Sequence, residues 1–464
     1  MTCPAFDAVG LEKLRNGACA FGTPDLPAPV ASVDLCQLGN DFRFPGGIRC
    51  PLVVRGLATL KAWSALAKWG GFEELERRSQ TTLSFDASPS GAFAYWDNNS
   101  VLAEAVRLSN LTRQSYSKVI SPRDTFFAAL HSGSLGPVRF GGNFPSFSKW
   151  VAQKKVIKAL SSLVPVGSKF SEEAPLLWLS SAGSFSTAHY DSFDNVFVML
   201  NGEKEMLLAP AEDAYLFRVH PGTHPLARQG RLHFGALAES GASSKGRHWP
   251  PTFVRTATAT VQRGDAIFIP ACWLHHVRAL KPSVSVALTS LPPEHREFNA
   301  WMQRGSEAVL PFLTGESDWD TQRLAAALSV FVSALLENLG FHDLSAASDP
   351  LNVLVNSSYG AETRAEIGLP ARLPVYPHCG RASKTDRRAA VGSGEKVAAR
   401  FRAFQDDLRG SYLQVFLENA LSRVAPADER DPAQIMGVAI GFVETCVLPL
   451  RTRRLRAKRT ARNT

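Results

Sequence analysis

The chain has 464 residues, room for two or three structural units, with the ordinary composition of a soluble globular protein and a formal charge of +9. Seven of those charges, Arg451, Arg453, Arg454, Arg456, Lys458, Arg459 and Arg462, fall in the last fourteen residues, so the rest of the chain carries only +2. A membrane span is not expected, since the most apolar late stretch, Ile435 to Leu450, is broken by Glu444 and is shorter than the ~20 residues a bilayer core needs.

Met1 to Asn16 has no basic n-region leading into a long apolar run, which predicts a cytoplasmic or nuclear protein. Residues 1–49 mix Gly, Pro and short apolar runs and read as an irregular leading segment that packs on the body. Pro51-Leu52-Val53-Val54-Arg55-Gly56 predicts a short buried strand, and Trp63, Leu66 and Trp69 to Leu75 an amphipathic helix. Ser121-Pro122-Arg123-Asp124 supplies an N-cap, a proline at the first helical position and an acid in the first turn, ahead of Phe126, Phe127 and Leu130.

From Pro137 to Leu291 the signals are mostly strands: 138–140, 176–179, 185–191, 196–200, 203–208, 266–269 and 284–288. Asn201-Gly202 reads as a two-residue hairpin turn. Many short strands with Gly, Pro and Asn turns predict a sandwich or barrel, and residues 50–291 are the catalytic candidate. Beyond Pro292 the pattern turns helical, with Leu324, Leu328, Phe331, Leu335 and Leu339 at spacings of three and four. Residues 341–393 read as a loop-rich connector within this helical region, 292–450. Two further helices follow, one holding Val397, Phe401, Phe404, Leu408 and Phe416, the other opening at Asp431-Pro432, before the basic tail 451–464. Cys3, Cys19, Cys36, Cys50, Cys272, Cys379 and Cys446 are odd in number and form no C-x-x-C pair, which predicts neither a disulfide framework nor a zinc site.

His189-Tyr190-Asp191 ends an apolar strand, where residues i and i+2 share a face, so one imidazole and one carboxylate converge. A third ligand from a distant strand would complete a two-His-one-carboxylate triad, which leaves positions open on iron(II). His275 and His276, after Gly264-Asp265-Ala266-Ile267-Phe268-Ile269-Pro270, offer it. Over residues 50–291 these motifs resemble the JmjC oxygenases of the cupin superfamily. The shared features are the His-x-Asp strand, a downstream lysine, and a closing strand Gly-Asp-x-apolar-apolar-Ile-Pro-x-x-Trp-x-His. The resemblance implies a double-stranded β-helix, or jelly roll, with a C-terminal helical region, and an enzyme using Fe(II), 2-oxoglutarate and O2. It assigns the metal to His189, Asp191 and His275 rather than His276. Lys204, fifteen residues after His189, would pair with the cosubstrate C5 carboxylate, Ser186 would donate to the same carboxylate, and Asn195 matches a pocket asparagine. Two departures stand out: Arg139 aligns where many relatives carry a tyrosine, and Ala287 where they carry a late-strand asparagine.

His220-Pro221 and His224-Pro225 read as loop histidines, Trp96, Trp150 and Trp178 as core, and His378-Cys379 lacks zinc-spaced partners. Residues 375–424, with His378-Cys379-Gly380-Arg381 and Asp407-Leu408-Arg409-Gly410-Ser411-Tyr412, resemble the helical tail of JmjC enzymes that hydroxylate the wybutosine base of phenylalanine tRNA. That implies a tRNA substrate and a homodimer through the C-terminal helices, with the basic tail contacting nucleic acid. A protein side-chain hydroxylase or demethylase and a catalytically silent cupin remain the alternatives.

Overall fold

The computed structural model describes residues 12–13, 18–22, 26–34, 44, 47–57, 63, 66–142, 144–161, 163–170, 175–232, 254–309, 319–373, 375–376, 379–404, 406–425 and 431–463. Much of the leading segment, with Cys3 and Cys36, and His378 of the C-terminal resemblance lie outside the described residues. Contacts divide the chain into two compact units. The first comprises Met1–Tyr95, Gln114–Phe217 and Leu232–His295, and the second Trp96–Arg113, Arg218–Arg231 and Arg296–Thr464.

The first unit holds the described strands: β1 (Ala28–Pro29), β2 (Ser32–Asp34), β3 (Leu52–Arg55), β4 (Thr82–Ala87), β5 (Ser117–Pro122), β6 (Val138–Gly142), β7 (Lys169–Phe170), β8 (Leu176–Ser180), β9 (Phe185–Tyr190), β10 (Asp194–Asn201), β11 (Glu203–Ala209), β12 (Ala257–Gln262), β13 (Ala266–Ile269), β14 (Leu274–Ala279) and β15 (Ser283–Leu291). They form two sheets. The larger is ordered β2-β3-β13-β10-β15-β8-β6-β4-β5, with β7 on β15, and the smaller β1-β12-β11-β14-β9. From β8 on the chain switches sheet at almost every step, which is the jelly roll that the sequence predicts. The leading segment contributes an edge strand to each sheet, β1 on β12 and β2 on β3, so part of it belongs to the fold.

Side-chain parity fixes the two faces of the larger sheet. Val196, Val198, Phe268, Val284, Val286, Leu177 and Leu179 join a core that also holds Trp69, Phe126, Phe147 and Trp150 from the helical segments. The alternate residues Met199, Ile267 and Ile269 pack with Met206, Leu208 and Val261 of the smaller sheet, filling the space between sheets. Strand β15 is buried on both faces from Ser283 to Ser290, as a strand covered on each side must be.

Asn201-Gly202 is not the hairpin expected. Strand β10 pairs with β13 and β15, and β11 with β12 and β14, so this turn is a corner that carries the chain from one sheet to the other. Gly202 has φ +77°, and a Cβ there would lie 2.2 Å from the Pro282 carbonyl oxygen, so the corner admits only glycine. The helix expected from Ser121-Pro122 begins one residue later, at Arg123, because Ser121 and Pro122 are still paired in β5 with Leu83 and Thr82.

The second unit is helical. Helices Thr321–Asn338 and Lys384–Arg402 are capped by Asp320 and Ser383, whose side chains accept from backbone amides of the first turn. They meet closely at Gly394, where a Cβ would come within 2.9 Å of the Ala334 Cβ. The region 341–393 is more ordered than a loop-rich connector: it contains a helical turn at Pro350–Asn352, a π turn at Val353–Ser358, helix Ala361–Glu366 and the start of Lys384–Arg402. Phe298, Trp301, Phe401, Phe404, Tyr412 and Phe416 form one aromatic cluster.

The basic tail is part of helix Leu448–Asn463, which continues helix Pro432–Phe442 through a π turn at Val443–Val447. Arg451 is fully buried, with Nη1 2.6 Å from Asp349, and Arg454 and Lys458 pair with Glu337. Arg453, Arg456 and Arg459 are exposed. By length and composition Pro432–Ala461 passes for a membrane-crossing helix, but 56% of its apolar window is buried inside the protein, as in a core helix. The cysteine expectation is corrected in both units: Cys19 pairs with Cys50 and Cys379 with Cys446, at Cα separations of 5.6 and 5.2 Å. These partners stand 31 and 67 residues apart, so no local spacing announces them.

Candidate functional site

His189 on β9 and His275 on β14 are direct register partners in the smaller sheet, their ring centroids 4.2 Å apart. Asp191, just past β9, brings a carboxylate oxygen within 3.7 Å of His275 Nε2. One ligand atom from each of the three lies within 4.8 Å of the others, the geometry of a shared ion. The tautomers suit a metal. His189 Nδ1 is 2.7 Å from the Thr187 carbonyl and His275 Nδ1 3.0 Å from the Trp273 carbonyl. A carbonyl only accepts, so each Nδ1 is the donor, the arrangement in which Nε2 is the atom available to a metal. His276 faces elsewhere, its ring 5.2 Å from that of Phe185.

Two turns hold the triad in place. The Cys272 amide donates to the Asp191 carbonyl at 2.6 Å, and Asp194 accepts from the Ala271 amide at 3.0 Å and from Ser168 at 3.2 Å. Cys272 sits at φ +65°, a conformation costly for a non-glycine residue and maintained here by those bonds. The turn before His275 is thereby tied to the turn after Asp191. Nothing in the motif singles out Asp194. Asn195 donates through Nδ2 to Asp191 Oδ2 at 3.2 Å, while its Oδ1 is buried with no partner among the described residues.

Ser186 stands at the wrong parity to share a face with His189 in a regular strand. A register shift between His275 and Val277 places Val277 opposite Ser186, so β9 has one residue more than β14 over this stretch. That bulge turns Ser186 inward, where its hydroxyl receives Arg139 Nη1 at 3.2 Å. Lys204, on β11 of the smaller sheet, crosses to β15 of the larger and donates to Ser285 Oγ at 3.1 Å. It is 4% exposed. Burial first, and Arg139 second, push its ammonium down to about 7. Ser285 is a partner that sequence reading missed, although its alternation with Val284 and Val286 marks it as inward-facing. Ala287, the other departure, lies in the same strand opposite Phe197.

A second group of three ligand-type side chains lies within the helical unit: His220, His224 and Glu366, all buried. These histidines sit in loops, as expected, but are buried. Their rings stack at 4.3 Å. His224 Nδ1 accepts from the Leu226 amide at 3.0 Å, so Nε2 bears the proton and points to Glu366 at 3.3 Å. Glu366 also receives both guanidinium nitrogens of Arg231 and the Thr112 hydroxyl. Burial opposes its charge, but Arg231 and His224 outweigh that and hold the carboxyl far below its usual range. Arg231 already meets the Glu366 carboxylate with two nitrogens, so the group has the make-up of a structural ion network.

The family described as Cupin-like domain matches residues 47–289, somewhat more than half of the chain. Among curated proteins, the human "Bifunctional peptidase and (3S)-lysyl hydroxylase JMJD7" is 24% identical over 299 residues, covering 60% of this chain and 90% of that protein. The "Lysine-specific demethylase JMJ31" of Arabidopsis thaliana is 23% identical over 66% of this chain and 62% of its own length. The "tRNA wybutosine-synthesizing protein 4" of Aspergillus oryzae is 31% identical over 87 residues, 19% of this chain and 7% of that protein.

Proposed function

The chain belongs to the cupin-like domain family, and on that premise we propose that it is an iron(II)- and 2-oxoglutarate-dependent oxygenase that hydroxylates or demethylates a protein side chain. The observation that carries this is the convergence of the triad: both histidines hold Nδ1 against a backbone carbonyl, and one ligand atom from each of them lies within 4.8 Å of an Asp191 carboxylate oxygen. His189, Asp191 and His275 would hold the metal, and Lys204 with Ser186 the cosubstrate tail. When bound, iron and 2-oxoglutarate supply the oxidation of a substrate C–H bond by O2, with succinate and carbon dioxide as co-products. The protein does the rest by position: Asn195 orients the Asp191 carboxylate, and Asp194 fixes the turn that carries His275.

A protein substrate is favoured because the similarity to the lysyl hydroxylase and the lysine-specific demethylase extends over 60% and 66% of this chain, against 19% for the wybutosine enzyme. A tRNA substrate is the second reading, and the exposed Arg453, Arg456 and Arg459, three residues apart on one helix, favour it. Pairing of two copies through the C-terminal helices belongs to the proposal as well, and sedimentation measures it.

The deciding experiment incubates purified protein with iron(II), 2-oxoglutarate and O2, beside a His189→Ala control, and offers in parallel a peptide library bearing methylated and unmethylated Lys, Arg, Asn and His, and wybutosine-containing tRNA. Cosubstrate-dependent gain of one oxygen on a peptide, or loss of a methyl group, supports the protein reading. Gain of oxygen on the wybutosine nucleoside alone replaces it with the tRNA reading. No product and no succinate with either would leave a silent cupin.

A further inference from the structure

The space between the two sheets holds two basic side chains rather than one, Lys204 buried and Arg139 largely so. Arg139 lies on β6 of the larger sheet and Lys204 on β11 of the smaller. Arg139 faces Ser180 across the β6–β8 ladder, Trp178 is two residues along the same face, and Ser285 faces Trp178 across the β8–β15 ladder. Arg139, Trp178 and Ser285 therefore line one inner face, and Lys204 reaches Ser285 from the opposite wall. The guanidinium lies 4.5 Å over the Phe93 ring and 5.2 Å over Trp178, and Nη1 donates to Ser186 at 3.2 Å and to the Phe93 carbonyl at 3.5 Å. Asp86 approaches Nη2 at 3.7 Å. The Nε–H is buried with no acceptor among the described residues. Asp86 offsets the guanidinium charge, so an unmet Nε–H donor and a lysine whose charge burial disfavours remain inside the fold with no further anion paired to either among the described residues, an arrangement that suits an incoming carboxylate.

We propose that Arg139 is a positioning and specificity residue: its guanidinium, together with Lys204 and Ser186, holds the far carboxylate of 2-oxoglutarate. This rests on the oxygenase reading above and adds to it. Where the resemblance expects an uncharged tyrosine hydroxyl, this chain supplies a rigid fork of donors that suits a planar carboxylate. The chemistry selects a 2-oxo acid with a second, distal carboxylate against one that ends in a methyl group.

The test is binding, measured by calorimetry on the full chain with manganese(II) in place of iron and O2 excluded, using 2-oxoglutarate and the monocarboxylate 2-oxobutyrate as probes. Arg139→Met should raise the 2-oxoglutarate Kd by tenfold or more and leave the 2-oxobutyrate Kd within about twofold, so that the ratio between the two collapses. Arg139→Lys should recover part of that ratio. In Arg139→Met the pH midpoint of 2-oxoglutarate binding should also move up from the wild-type position, because the neighbouring charge that discourages Lys204 ionisation is gone; a packing role would leave it in place. If Arg139→Met does not unfold cooperatively, Arg139→Lys and Ser186→Ala carry the test on the same ratio. An unchanged ratio in the variants, with wild type binding 2-oxoglutarate, overturns the assignment of Arg139 alone. Failure of wild type to bind 2-oxoglutarate at all overturns the oxygenase reading and this assignment with it.

Discussion

Raising the pH above 7 should weaken 2-oxoglutarate binding, and Lys204→Met should abolish that dependence. Lys204 is buried, its one hydrogen-bond partner among the described residues is the neutral Ser285 hydroxyl, and burial together with Arg139 brings its ammonium down to about 7. A carboxylate binds the charged form, so above pH 7 binding must take up a proton. The apparent Kd then approaches a tenfold rise per pH unit and increases about fifty-fold from pH 7 to 9, about 2.3 kcal/mol. Calorimetry at pH 8 in two buffers of different ionisation enthalpy reads the proton uptake directly. The Lys204→Met protein should bind more weakly at pH 7 and show no slope. A flat Kd from pH 6.5 to 9 in the wild type would refute the reasoning, because it would mean that the lysine is already charged in the empty pocket or does not meet the ligand. Without ligand the sign reverses. The folded pKa lies below the unfolded value of ~10.4, so the unfolded chain binds more protons across that window, and this group's contribution to stability rises as pH climbs from 7 to 10.

Three further outcomes are expected. His189→Ala or Asp191→Ala should abolish iron-dependent succinate formation while urea unfolding stays cooperative, and unchanged turnover would remove these residues from the site. Arg451→Met should cost ~3–5 kcal/mol in urea denaturation by leaving Asp349 charged and buried, and the double change Arg451→Met, Asp349→Leu should recover most of it; an Arg451→Met loss below ~1 kcal/mol would mean the pair is solvated. Denatured, unreduced protein should titrate at least four fewer thiols than reduced protein, which titrates seven, since Cys19–Cys50 and Cys379–Cys446 are paired among the described residues. Seven thiols before reduction would place the protein in a reducing compartment, where such pairs stay open.

The strands read around the site were legible because a half-buried strand alternates: in β11 Lys204, Met206 and Leu208 point into the core while Glu203 and Glu205 are partly exposed. Two local features were not. The bulge in β9 depends on how many residues β14 offers opposite it, which β9 does not encode by itself. The Asn201-Gly202 corner uses the same turn chemistry as a hairpin, and only the partners of β10 and β11 tell them apart. The basic tail misled in another way. A run of cations reads as solvated on average, yet Arg451, Arg454 and Lys458 recur at helical spacing and find Asp349 and Glu337, more than a hundred residues earlier. Burial of His220 and His224 likewise follows from Glu366 and Arg231, which no short motif links to them.

Strand β14 stands between β11 and β9 in the smaller sheet, so the strand that carries His275 also joins those that carry Lys204 and His189. His275 follows His189 by 86 residues. At ribosomal rates of ~5–20 residues per second, the nascent chain exposes His189 and Asp191 for roughly 4–17 s before their partner exists. During that interval β9 lacks the strand that joins it to β11, and no complete triad can form. A metal held by this triad would therefore load late, and addition of β14 is the step that both joins β9 to β11 and completes the site.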